Sequence, residues 1–181
     1  MQTFKIALTI FFALLLQMLL PNYLAFFKYI DLPLLVTVYF GLQRAPLLAM
    51  LVGVFAGIGG DAIMGGIPGV GGFSKTLIGY LVAIASIKLS LENPFARLAV
   101  VAVASAANTV LFAGLYLMLR QEHLAESVLP YATSLADFGK TIGWKALADT
   151  STAILLFVAL DRVFSEQAAA RRMAIKRRFY E

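Results

Sequence analysis

The chain has 181 residues, of which 61% are hydrophobic and only 14% are charged. This composition excludes an ordinary water-soluble domain, in which about a quarter of the residues carry charge. The absence of cysteine excludes disulfide bonds, thiolate metal sites and thiol catalysis. We therefore expect an all-α integral membrane protein, and the length suits one bundle of six transmembrane helices at about 20 residues each.

Hydrophobic runs separated by prolines, glycines and polar residues predict the positions of the six helices. In chain order the predicted spans are 4–20, 32–43, 47–64, 73–91, 94–119 and 142–164. The second is short for a membrane crossing. The polar connection at 121–141 is expected to be a loop that contains a short amphipathic helix. We expect residues 1–164 to form one transmembrane domain and residues 165–181 to form a basic cytoplasmic tail.

The distribution of lysine and arginine predicts the orientation in the membrane. If both termini are cytoplasmic, the inner side carries ten of these residues and the outer side five: Lys28, Lys75, Arg120, Lys140 and Lys145. This asymmetry follows the positive-inside rule and favours a multi-pass protein with both termini in the cytoplasm. The basic tail adjoins a span, so we interpret it as a segment that binds membrane lipids and not nucleic acid.

The connection between the third and fourth spans is rich in glycine and carries one acid. Just before it, Ala49, Gly53, Gly57 and Asp61 are spaced by four, so on a helix they lie on one narrow face. Small residues allow the backbone of a neighbouring helix to approach closely. The pattern therefore predicts a face that packs against another helix or a partner, with Asp61 directed at protein because a carboxylate is costly in lipid.

Three further polar residues lie within predicted spans. Asn108 is near the middle of the fifth span and is expected to hydrogen-bond to another helix. Lys145 and Asp149 are one turn apart in the sixth span. Two arrangements remain open: Asp149 pairs with Lys145 while Asp61 caps its turn, or Asp61, Lys145 and Asp149 form a polar cluster that shares a proton or cation.

No set of residues in the sequence predicts catalysis. His123 is the only histidine and has no potential metal ligands beside it, so we expect neither a metal site nor an enzyme. Glycine patterns at 57–62 and 69–76 loosely match nucleotide-binding motifs. They lack the preceding buried strand that such motifs require, so we expect no cofactor.

Four segments, in order, resemble the MreD family of rod shape-determining membrane proteins. They are DLPLLVTVY from Asp31, RAP from Arg44, GVFAGIGGD from Gly53 and GVGGFSKTLIGY from Gly69. The resemblance covers about residues 31–87, and the rest of the chain is similar only in hydropathy.

The resemblance implies a non-catalytic inner-membrane component of the bacterial cell-elongation complex that supports the regulation of peptidoglycan synthesis and cell shape. Its direct partner would be MreC, and through the complex it would be linked to RodA, a class B penicillin-binding protein and MreB. The implied fold is similar to the S-components of energy-coupling-factor transporters. A vitamin-binding S-component is accordingly the alternative function.

Overall fold

The computed structural model describes residues 2–23, 28–89, 93–119 and 135–164. These ranges contain six α-helices and no strand: α1 Gln2–Tyr23, α2 Leu32–Leu42, α3 Pro46–Met64, α4 Val70–Lys88, α5 Pro94–Met118 and α6 Leu135–Val163. Four of them, α1, α3, α4 and α5, are long and apolar enough to cross a membrane. The described part of the chain is therefore all-helical, and its four long apolar helices make it a membrane protein, as the composition predicts.

The helix bounds agree with the predicted spans to within three residues, except at α6. This helix begins at Leu135, seven residues before the predicted start of the sixth span, so the end of the predicted 121–141 loop is helical. The extra turns carry Asp137 and Lys140, which form an exposed ion pair. Residues 120–134, with His123, and the predicted tail at 165–181 lie outside the described residues.

Helix α2 is the centre of the bundle. Every residue from Leu32 to Gly41 is buried, and α2 contacts each of the other five helices. It has 11 residues, which corresponds to about 16 Å at the usual rise of an α-helix. A bilayer's hydrocarbon core is about 30 Å thick. The second span is therefore a short helix surrounded by protein, and its length is no obstacle because lipid does not reach it.

The short α2 begins inside the bundle rather than at its surface. Only residues 43–45 connect its end to α3, so the end of α2 and the start of α3 lie at the same level. α3 has 19 residues, or about 28 Å. If the two helices run side by side, the start of α2 lies roughly 12 Å below the far end of α3. Asp31, which precedes α2, is thereby placed at membrane depth.

The largest interface between two helices joins α3 to α4, through the small-residue face of α3. Ala49 is fully buried there. A Cβ added to Gly53 would lie 2.7 Å from the carbonyl oxygen of Lys75, and one added to Gly57 would collide with the backbone of Gly71. The two backbones therefore touch, which is the close approach that small residues permit.

The outer helices α1 and α6 cover the two sides of this core. α1 packs on α2 and α3, whereas α6 packs mainly on α5 and also touches α2. Large apolar side chains on both helices point away from the bundle, among them Phe4, Phe11, Phe12, Trp144, Leu147 and Leu155. These surfaces suit lipid or the helix of another protein.

Candidate functional site

Asp31 is a buried carboxylate at the start of α2. The Leu34 N–H donates to its Oδ1 at 3.0 Å, which caps the helix. Its Oδ2 lies 2.9 Å from Nζ of Lys75, in the second turn of α4, and both side chains are less than 10% exposed. This is the one buried ion pair in the described part of the chain, and it ties α2 to α4.

Asp149 brings a second buried carboxylate to the same place from the middle of α6. Its Oδ1 accepts the backbone N–H of Asp31 at 2.8 Å, and its Oδ2 accepts a short hydrogen bond from the Ser105 hydroxyl of α5. Lys145, one turn earlier on α6, attracts both carboxylates through space. Among the described residues, however, Lys145 forms no ion pair with either one.

Asn108 of α5 contacts the ion pair. Its Nδ2 donates to Oδ2 of Asp31 at 3.4 Å. The opposite orientation of the amide would place its oxygen against a carboxylate oxygen, so the bond fixes which way the amide points. Its Oδ1 is then the only buried side-chain polar atom, within the described ranges, that has no hydrogen-bond partner. Such atoms are rare in folded proteins, and each requires a physical explanation.

Gln17 of α1 holds the backbone on either side of Asp31. Its Nε2 donates to the carbonyl of Ile30, and its Oε1 accepts the N–H of Leu32, both at 2.9 Å. Five of the six helices therefore contribute to one set of hydrogen bonds. We call this set the buried polar cluster; its members are Gln17, Asp31, Lys75, Ser105, Asn108 and Asp149.

Asp61 lies elsewhere, at the glycine-rich loop, residues 65–69. Its carboxylate accepts the backbone N–H of Gly69 at 2.8 Å and that of Gly71 at 2.9 Å. These N–H groups belong to the first turn of α4, where no helical carbonyl can accept them. In the described structure no hydrogen bond or ion pair joins Asp61 to Lys145 or Asp149. The predicted cluster of these three residues is therefore not assembled: Asp61 caps its turn by accepting the α4 amides, whereas Asp149 bonds to Asp31 and Ser105.

The glycine-rich loop is held by hydrogen bonds at its start and in its middle. Gly65 ends α3 in the left-handed conformation, with φ of 66°, and its N–H donates to the carbonyl of Asp61. In the middle of the loop, the Ile67 N–H donates to the hydroxyl oxygen of Tyr116 on α5 at 3.2 Å. Asp61 and Tyr116 together therefore hold a loop that contains no helix of its own.

Substitutions of Asp61 distinguish a role in holding the glycine-rich loop from a role in proton transfer. Asp61→Asn keeps one acceptor oxygen for the α4 amides and should retain much of the stability and activity. Asp61→Leu leaves buried donors unpaired, at a cost of about 1–3 kcal/mol for each, and should destabilise the protein strongly. Unfolding in detergent, followed by circular dichroism, measures both. Equal loss of activity in the two variants, with both still folded, would instead indicate a proton-transfer role.

The position of Lys75 in the sequence is a signal from which the ion pair could be predicted. This lysine lies inside the predicted fourth span, and a charge in an apolar span needs a buried partner. Asp31 stands at the start of the second span and has the opposite charge. Counting Lys75 among the outer-loop charges hides this pairing, and that placement is wrong because Lys75 is buried. Gln17 and Ser105 give no comparable signal, because single polar residues of their kind are common in membrane helices.

The cluster contains groups that can hold charge and exchange hydrogen bonds. The described residues include no group of three or more histidine, cysteine, aspartate or glutamate side chains that could bind a metal ion. The ion pair, the second carboxylate and the amide oxygen without a partner are groups that can bind a small ion or polar group and hold helices together.

Comparison of the chain with protein-family models, with curated proteins and with solved structures found no match. Any assignment of function therefore rests on the residues and their geometry alone.

Proposed function

We propose that the protein is a non-catalytic scaffold of the bacterial cell-elongation complex, similar to MreD, that binds MreC in the inner membrane. In this role it forms a six-span bundle with a fold like that of the S-components. It presents a surface to the single transmembrane helix of MreC, and through MreC it acts on RodA, its penicillin-binding partner and MreB. It thereby supports the regulation of peptidoglycan synthesis and of cell shape.

One observation supports this function best: the segments that resemble MreD are packed against one another. The segment from Asp31 forms α2, and its first residue pairs with Lys75 of the segment from Gly69. The segment from Gly53 packs its glycines on α4, and its last residue, Asp61, binds the α4 amides. Residues that resemble one family are thus the residues that hold three helices together, as expected if the family shares this core.

The buried polar cluster is the observation that favours the alternative, a substrate-binding subunit of a vitamin transporter. A ligand with polar groups would need such residues in an otherwise apolar bundle. However, apart from Asn108 Oδ1, the polar side-chain atoms of the cluster form hydrogen bonds or ion pairs with one another or with the backbone. Side chains already engaged in this way favour a scaffold over a site for an organic molecule.

The orientation that we propose has both termini in the cytoplasm and the glycine-rich loop outside. Lys75, which is buried in the ion pair, does not belong among the outer-loop charges. Removing it leaves ten lysine and arginine residues inside against four outside. A cytoplasmic reporter fused after residue 181 should be active, and an export-dependent reporter placed within 121–134 should also be active. An exported C-terminus would reverse the orientation.

Binding to MreC can be tested by co-purification and crosslinking. The natural absence of cysteine permits single cysteines at exposed positions on four helices: Phe11 of α1, Phe55 of α3, Val103 of α5 and Leu155 of α6. If MreC binds one surface, crosslinks to a cysteine in its transmembrane helix should be confined to one or two of these positions. The complex should persist at high salt, because contacts between apolar helices are not screened.

A buried position supplies the matched control. Val36 of α2 is not exposed at all, so Val36→Cys should give no crosslink. Equal crosslinking at all four exposed positions would indicate random collisions in the membrane. Recovery of a bound vitamin and a pair of ATPases in place of MreC would establish the transporter alternative.

A further inference from the structure

The buried polar cluster contains more negative than positive charge. It holds two carboxylates, Asp31 and Asp149, but only one ammonium group in direct contact, that of Lys75. Asp149 is fully buried, and its hydrogen-bond partners are an N–H and a hydroxyl, which carry no net charge. An uncompensated charge at membrane depth is costly. Lys145 attracts both carboxylates from a distance but forms no ion pair with either, so one carboxylate of the cluster has no cation in contact with it.

Two polar side chains on one face of α5 contact the two carboxylates. Ser105 and Asn108 are three residues apart and both are buried. Ser105 bonds to Asp149, and Asn108 bonds to Asp31 while its Oδ1 remains without a donor. A carboxylate, a hydroxyl and an amide oxygen are the hard oxygen ligands that bind small alkali and alkaline-earth cations.

We propose that the cluster binds one monovalent cation of the size of Na⁺, held by Asp149, Asn108 Oδ1 and Ser105. The single spare negative charge matches a monovalent ion. It does not match a divalent metal, for which no cluster of three acidic, histidine or cysteine residues exists in the described ranges. The cation supplies the missing charge, and at the same time it occupies the Asn108 oxygen. Because the cluster joins five helices, the ion also stabilises the bundle.

Three other species could fill these roles in part. A water molecule could donate to Asn108 but would leave the charge uncompensated. A proton on Asp149 would remove the charge but would leave the Asn108 oxygen without a partner. The ammonium group of Lys145 could approach Asp149, yet it forms no ion pair there in the described structure.

The experiment measures binding of ²²Na⁺ to the purified protein in detergent, with choline chloride maintaining the ionic strength. We expect saturable binding of about one ion for each chain, and a rise in thermal stability with Na⁺ that choline does not reproduce. Asp149→Asn and Asn108→Leu should each weaken binding by about tenfold or more. Asp161→Asn is the matched control: it removes an exposed acid from the same helix and should bind Na⁺ as the wild type does.

Lys145→Gln separates the cation from the lysine. If a cation supplies the charge, removal of the nearby ammonium leaves Na⁺ binding intact or tightens it, because one repulsion is lost. Loss of binding in Lys145→Gln would overturn the proposal. A folded wild-type protein that shows no saturable ²²Na⁺ binding would also overturn the proposal. This holds if a water molecule fills the site, and it holds if acidification alone stabilises the protein. The wild-type measurement requires no substitution, so a variant that fails to fold does not prevent the test.

Discussion

Replacing Gly57 with leucine should disrupt the α3–α4 interface and destabilise the protein by about 3 kcal/mol. A Cβ at this position collides with the backbone of Gly71 and Gly72. Backbone atoms in the first turn of α4 cannot rotate away as a flexible side chain can. The helices must therefore separate, and the contacts of the largest interface in the bundle are weakened together. Gly57→Ala should already destabilise, although less than leucine.

Gly60 offers a matched control on the same helix, three residues further on. It is buried, but a Cβ added there meets no atom within 4 Å. Gly60→Ala should therefore be neutral or stabilising by up to about 1 kcal/mol, since alanine favours helix more than glycine does. Unfolding with increasing SDS in detergent micelles, followed by far-UV circular dichroism, compares the two alanine variants. Equal effects of the two substitutions would show that helix propensity, not backbone contact, determines the outcome.

Replacing Lys75 with methionine should destabilise the protein by about 3–5 kcal/mol, because Asp31 is left buried without its cationic partner. Methionine keeps most of the apolar length of the side chain, so the loss reflects charge rather than packing. The double variant Lys75→Met with Asp31→Asn should recover much of the stability. It carries no unpaired charge at this position, and asparagine can still cap α2.

An exposed ion pair in the same protein provides the control for this prediction. Lys140 lies 3.5 Å from Asp137 on α6, and its side chain is 74% exposed. Lys140→Met should change stability by less than about 0.5 kcal/mol. The same SDS titration measures all the variants. If Lys75→Met proves as mild as Lys140→Met, Asp31 must be neutral in the folded protein or neutralised by another cation.

The helices themselves could be predicted because hydrophobic runs and prolines mark them locally. Proline in the first turn of α2, α3 and α5 indicates where those helices begin. The predicted start of α6 is wrong by seven residues, because polar residues such as Asp137 and Lys140 resemble a loop in composition although they continue the helix. Composition distinguishes segments that lie in lipid from segments that lie in water. It distinguishes helices from loops only indirectly.

The site is harder to predict than the fold. Asp61 and Asp149 are both acids in predicted spans, and the sequence contains no measure of the distance between them. Asp149 instead bonds to Asp31, at the start of a helix too short to reach the level of the glycine-rich loop. Asp31 at the start of α2 thus meets Lys75, Asn108 and Asp149 inside the bundle. The pairing of charges from distant segments depends on the lengths of the helices and on which helices are neighbours. A single sequence does not show which helices are neighbours.

The shortness of α2 has a consequence for biosynthesis. A segment of 11 residues is well below the roughly 17–25 residues that a translocon passes laterally into lipid as an independent span. Alone, its carbonyl end and the Asp31 carboxylate would be left in hydrocarbon without partners. α2 must therefore enter the membrane together with α3 and α4, whose Lys75 receives that carboxylate. Protease mapping of nascent chains that end before α4 should find α2 outside the membrane, and chains extended through α4 should protect it.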